Sequence, residues 1–351
     1  MDSELVKAAQ LLGIELTGLK KAAKYSEQII KDYRQCLREV LQEILETGQR
    51  KHLEKTDVVL LGSIARREST VGSDCDYYIL QNGAPPEVTQ NLTLAMEQIR
   101  QRLEPTEPGV QGIFGNIVIA ANLYETIGLE GDTNVNMTRR VLLLTESEPI
   151  SSGRTHRAVI DNILAIYCAD YLGSDRKSKR PAEVPRYLLN DIVRFWRTMA
   201  VDFGTKRWRT IADDSHLRLA KLRVSRKVLF AGPLATILLV PIRVNRNSEL
   251  KLYLTRCLRR PPLAQIASTA AFLSRKSQDA LKKLLTNYDE FIGLLSTDSR
   301  DILQDPQKDN KRFEKLRIKC EKIGDTVQKL LEIIFYDDPL FKATFRKYAV
   351  F

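Results

Sequence analysis

Two short apolar runs, Val58 to Leu61 and Tyr77 to Leu80, bracket a polar segment with Gly62-Ser63 at one end and Asp74-Cys75-Asp76 at the other. Each run has the length and composition of a buried strand. Upstream, Leu5, Ala8, Ala9 and Leu12 recur at helical spacing, and so do Ile29, Ile30, Tyr33, Cys36, Leu37, Val40, Leu41 and Ile44. These predict two helices within residues 3–53, with a turn near Gly13 and Gly18 and a stop at Gly48. Downstream, Pro86 opens a helix over about 86–103, which Pro105 and Pro108 stop. The run Ile113 to Ala121 predicts a third strand buried on both faces. Residues 138–145 fit either a strand or a helix, and their charged flanks favour a buried helix.

Beyond Ile150 the strand signals nearly vanish. Helical patterns occupy about 154–172, 185–203, 215–239, 247–257, 261–296, 309–335 and 339–348, with charged linker-like stretches at 175–181 and 298–310. The pattern predicts an α+β chain. Helices over 1–55 pack on a small mixed-sheet core over 56–150, and a larger all-helical domain spans 151–351.

Composition narrows the picture. The 351 residues include five scattered cysteines and three dispersed histidines, which argues against a disulfide scaffold and a zinc site. The acidic N-terminal stretch lacks a signal-peptide layout, and the longest apolar run, Val228 to Ile242, is too short to span a membrane. A cytoplasmic protein with no membrane partner is expected. The formal charge of +11 is uneven, with 16 Lys and Arg against 22 Asp and Glu over 1–150, and 39 against 22 over 151–351. A basic half beside an acidic half fits a polyanionic ligand.

The candidate chemistry lies between the first two strands. Residues i and i+2 of a strand share a face, so Asp74 and Asp76 project the same way. Paired carboxylates are costly unless a hard cation shares them. A Gly-Ser turn lets the backbone approach a phosphate and offers amide and hydroxyl donors to it.

The pattern Gly62-Ser63, ten residues, Asp74-x-Asp76, set between apolar strands, resembles the nucleotidyltransferase superfamily that includes DNA polymerase β. Residues 132–150 and the helical segment 186–230 resemble stand-alone members of the branch related to PII uridylyltransferases. The resemblance implies a nucleotidyltransferase core in which Asp74 and Asp76 bind Mg2+ or Mn2+. It implies that Gly62, Ser63, Arg66, Arg67 and Ser73 hold the triphosphate. Family members often complete that site with a basic helix from a second domain, here Lys221, Ser225, Arg226 and Lys227. Arg194, Arg197, Trp208 and Arg218 are the candidate acceptor contacts, while Trp196 reads as core. Many members carry a third carboxylate on a later strand, but Ile113 to Ala121 holds no acid. Asp132 is the candidate for that role, with a helix cap as its alternative.

The expected activity is metal-dependent transfer of a nucleoside monophosphate from an NTP to an acceptor hydroxyl, with release of pyrophosphate. RNA, such as a tRNA 3′ end, is the first acceptor to test and a protein side chain the second. Toxin and phage-defence enzymes offer an analogy. The competing readings are a degenerate nucleotide- or RNA-binding module and a synthase of nucleotide second messengers.

Overall fold

The computed structural model describes residues 1–45, 47–103, 113–172, 182–209, 215–296 and 298–349. The chain packs as two units, Ala23–Ala169 and a second made of Met1–Ala22 with Asp170–Phe351. The first boundary falls inside the helix Thr17–Ile44 and the second just past Ala169, so neither coincides with the expected divisions at 55 and 150. The charged loop at 175–181 lies outside the described residues.

The unit Ala23–Ala169 is built on a four-stranded mixed sheet of β1 (Thr56–Leu61), β2 (Tyr77–Gln81), β3 (Ile117–Ile119) and β4 (Ser147–Pro149), in the order β3-β2-β1-β4. β1 pairs antiparallel with β2, placing Val58 opposite Ile79 and Leu60 opposite Tyr77. It also pairs antiparallel with β4, with Leu61 opposite Ser147. β3 runs parallel to β2. Side chains alternate across a sheet. Val58, Leu60, Tyr77 and Ile79 accordingly form one core with Ile30, Tyr33, Leu37 and Val40 of Thr17–Ile44, and with Val88, Leu92, Met96 and Ile99 of Pro86–Leu103. The opposite face, Val59, Leu61, Tyr78 and Leu80, is buried too, and the helix Arg154–Tyr167 packs on β1.

A buried carboxylate fixes that last helix. Asp57 accepts hydrogen bonds from the backbone of Gly153 (2.7 Å) and His156 (2.8 Å), and from the Ser151 hydroxyl (2.6 Å). A negative charge at a helix N-terminus with all its bonds made is stabilising rather than costly.

The helix expected over 86–103 is Pro86–Leu103, and 138–145 lies within the helix Asn134–Thr145, capped by the Thr133 hydroxyl on the Asn136 amide at 3.1 Å. The third strand is a correction. It covers only Ile117–Ile119, and as an edge strand it leaves Ile117 (43%) and Ile119 (52%) exposed, burying only Val118.

The second unit is helical. The pattern expected over 215–239 divides into Ser215–Arg223 and Ser225–Leu238, and that over 261–296 into Pro262–Ala267, Ala270–Phe272 and Arg275–Leu295. Gly232 lies where Ser225–Leu238 meets Pro262–Ala267, and a Cβ there would sit 2.4 Å from the Pro262 carbonyl oxygen. Overpacking typically costs about 1–3 kcal/mol. Gly232→Ala should therefore destabilise the fold by about 2 kcal/mol or more, seen as a lowered urea midpoint at unchanged slope. An unchanged midpoint would show that the two helices move apart freely here.

Candidate active site

β1 runs straight into the Gly62-Ser63 turn. Gly62 adopts φ +67°, a conformation that suits glycine, and opens the four-residue helix Gly62–Ala65. The β1–β2 pairing continues past the strand ends, with the Leu61 amide donating to the Asp76 carbonyl at 2.8 Å. The Asp76 carboxylate consequently lies against the turn, and a Cβ on Gly62 would stand 3.2 Å from its Oδ2. Any side chain at residue 62 would meet both the backbone strain and this carboxylate.

Asp74 and Asp76 are half-buried and flank the buried Cys75. Burial pushes the Cys75 thiol up to about 12, and the two aspartates push the same way. A thiol held protonated is no nucleophile. Ser73 closes the preceding turn, its hydroxyl accepting from the Thr70 amide at 2.9 Å and its amide donating to the Thr70 carbonyl. The Ser63 carbonyl accepts from the Glu68 amide at 2.8 Å, which folds the loop back on itself.

The two loop arginines are held by carboxylates. Arg66 donates Nε to Glu68 at 2.8 Å and Nη1 to Glu146. Arg67, at φ 64°, donates to the Ile64 and Ala65 carbonyls and to Glu148 at 2.8 Å, and Glu148 also binds Arg34. Glu146 and Glu148 flank Ser147 where β4 begins. Burial pushes the Glu146 carboxyl up, Arg66 opposes this, and Asp76 and Glu68 add to the rise. An acid missing from the expected third strand thus reaches the neighbourhood of Asp76 from residue 146. The sequence signal is the Glu-x-Glu at 146–148, which falls where the helix Asn134–Thr145 gives way to β4.

Asp132 serves a different purpose from the one expected. Both its oxygens bind the guanidinium of the fully buried Arg140, at 3.1 and 2.8 Å, and Arg140 also donates to the Tyr167 hydroxyl and the Leu123 carbonyl. Spent on a buried ion pair, Asp132 is a structural group rather than a base, and Thr133 makes the helix cap.

The remaining candidates belong to the other unit. Arg194 is half-buried and Arg197 exposed on the helix Arg186–Arg209. That helix buries Leu188, Leu189, Ile192 and Phe195, and Trp196, expected in the core, is half-buried. Trp196 stacks on Phe230 with ring centroids 5.6 Å apart. Trp208 lies in the same helix, with its side chain outside the described residues. Arg218 and Lys221 are half-buried on Ser215–Arg223. The buried Ser225 donates its hydroxyl to the Lys221 carbonyl at 3.2 Å, which leaves it a helical rather than a ligand role. Arg226 and Lys227 are half-buried, and burial lowers the Lys227 ammonium, with Arg223 adding and Asp325 and Glu332 opposing. Gly62, Ser63, Arg66, Arg67 and Ser73 thus sit in one unit, and Lys221, Ser225, Arg226 and Lys227 in the other.

Among the described residues no group of three or more His, Cys, Asp and Glu is arranged to hold a metal ion. The chemistry of the donor set still fits Mg2+, which keeps most of its waters and takes one or two carboxylates together with substrate phosphates. No protein-family model matches the chain, and comparison with curated proteins finds no match.

The Glu146 carboxyl yields a pH prediction. Its folded-state pKa is raised, so the native chain binds that proton more tightly than the unfolded chain does. This contribution is present below the ordinary Glu value and is lost as pH rises through the raised one. Urea midpoints of the wild type should fall more between pH 5 and pH 8 than those of Glu146→Gln. Parallel profiles for the two proteins would contradict this.

Proposed function

We propose that the unit Ala23–Ala169 binds a nucleoside triphosphate with a divalent cation and transfers its nucleoside monophosphate to an acceptor hydroxyl, releasing pyrophosphate. The observation that carries this reading is the approach of the Asp76 carboxylate to the positive-φ Gly62 turn, beside the buried Glu146. Asp74 and Asp76 would hold Mg2+ or Mn2+, which when bound neutralises charge on the phosphates. The Gly62-Ser63 turn, at the C-terminal end of β1, would offer its backbone to a phosphate. Glu146 replaces Asp132 as the supporting carboxylate.

Arg66 has a defined part in this arrangement. Bound to Glu68 and Glu146, it supplies positive charge among acids that would otherwise repel one another and Asp76. The acceptor proposed first is an RNA 3′ end, on the strength of the basic C-terminal half, and a protein hydroxyl comes second.

The absence of an acid on the third strand, Ile117–Ile119, favours one alternative, a module that binds nucleotide without transferring it. Incubation with each α-labelled NTP, Mn2+ and total RNA or lysate separates the two. Transfer of label is expected, falling at least a hundredfold in Asp74→Ala and Asp76→Asn while the far-UV spectrum is kept. Label retained in a filter assay but never transferred would support the binding module. Transfer that survives both substitutions would contradict the assigned site.

A further inference from the structure

The segment 240–278 lies wholly in the second unit and holds eight Lys and Arg against one acid, Glu249. Its charges lie on Val240–Arg243, on Asn247–Leu258, in the loops beside them and at the start of Arg275–Leu295. Folding brings Arg243 toward the arginines around Cys257. Arg243, Arg256 and Arg260 all act on the half-buried Cys257 thiol. Arg260 is offset by Asp2 and Glu4, each at 3.4 Å. Arg243 and Arg256 are exposed, and neither forms an ion pair with an acid among the described residues.

Arg243 has an aromatic partner instead. Its guanidinium lies 3.8 Å from the ring centroid of Phe272, which is 53% exposed. Phe272 and Arg243 together present an aromatic group and an exposed positive charge that no acid among the described residues neutralises. It is the combination that single-stranded nucleic acid uses, with arginines on the phosphates and an aromatic face under a base.

We propose that the Arg243–Phe272 stack is a docking surface for single-stranded nucleic acid, with the exposed Arg256 of the same segment adding charge. An acidic peptide would satisfy the arginines but makes no use of the exposed ring. A duplex hides its base faces and would use only the charge. The surface lies in the unit that does not carry Asp74 and Asp76, and its assignment does not depend on nucleotidyl transfer.

Fluorescence anisotropy with a labelled 15-nucleotide oligouridylate, without NTP or divalent cation, tests this directly. Phe272→Ala and the bulk-preserving Phe272→Leu should each weaken binding about tenfold, in the range base–aromatic stacking spans. Their thermal midpoints should match the wild type, because the ring is exposed. Arg243→Ala with Arg256→Ala should weaken binding further and flatten the salt dependence by roughly 0.7 for each phosphate no longer neutralised. Oligouridylate affinity unchanged in both Phe272 variants would overturn the proposal. So would equal displacement of the probe by polyglutamate, which would mark the surface as one for acidic protein.

Discussion

The hydrogen bond from the Leu61 amide to the Asp76 carbonyl is the interaction on which the candidate site depends. It extends the β1–β2 ladder one step beyond the strands and sets the register of everything in the loop between them. With that register fixed, Gly62 has to turn at positive φ, and the Asp76 carboxylate comes within reach of where its side chain would be. Asp57, at the other end of β1, anchors the helix Arg154–Tyr167 by the same strand's placement. One fully buried strand therefore carries the turn, the carboxylate and the helix behind them.

Charge is the second constraint. Glu68 and Asp76 are close enough to raise the cost of ionising the buried Glu146, and Arg66 offsets it. Buried ion pairs seldom add much net stability, but losing one partner is expensive because the other charge is stranded. Asp132 and Arg140 form a second such pair, also buried, between the Asn134–Thr145 helix and the loop before it. The unit thus has two arginine-centred buried ion pairs, one structural and one at the candidate site.

Much of this is legible in the amino-acid sequence. β1, β2 and Pro86–Leu103 carry strong local signals, and the spacing of Gly62-Ser63 and Asp74-x-Asp76 marks the turn between the strands. β4 is not legible, because three residues ending in Pro149 show no alternation and exist as a strand only through pairing with β1. The part of Glu146 is hidden with it, since only the pairing of β4 with β1 brings the residue toward Asp76. The partner of Asp132 stands eight residues away on the Asn134–Thr145 helix, beyond any local rule. The unit boundary at Ala22 cuts a helix whose apolar periodicity runs on undisturbed. The arginines of 240–278 are scattered along the chain, and only the fold sets Arg243 against the exposed Phe272 ring.

The central claim is that two carboxylates and a nucleotide's phosphates jointly complete one cation site. Linkage then requires each to raise the other's affinity by the same factor. Mn2+ binding, followed by electron paramagnetic resonance, should be weak with the protein alone. It should strengthen at least tenfold when a non-hydrolysable NTP is present, and Asp76→Asn should abolish that gain. Mn2+ affinity that is indifferent to the nucleotide, or a gain that persists in Asp76→Asn, would contradict the account.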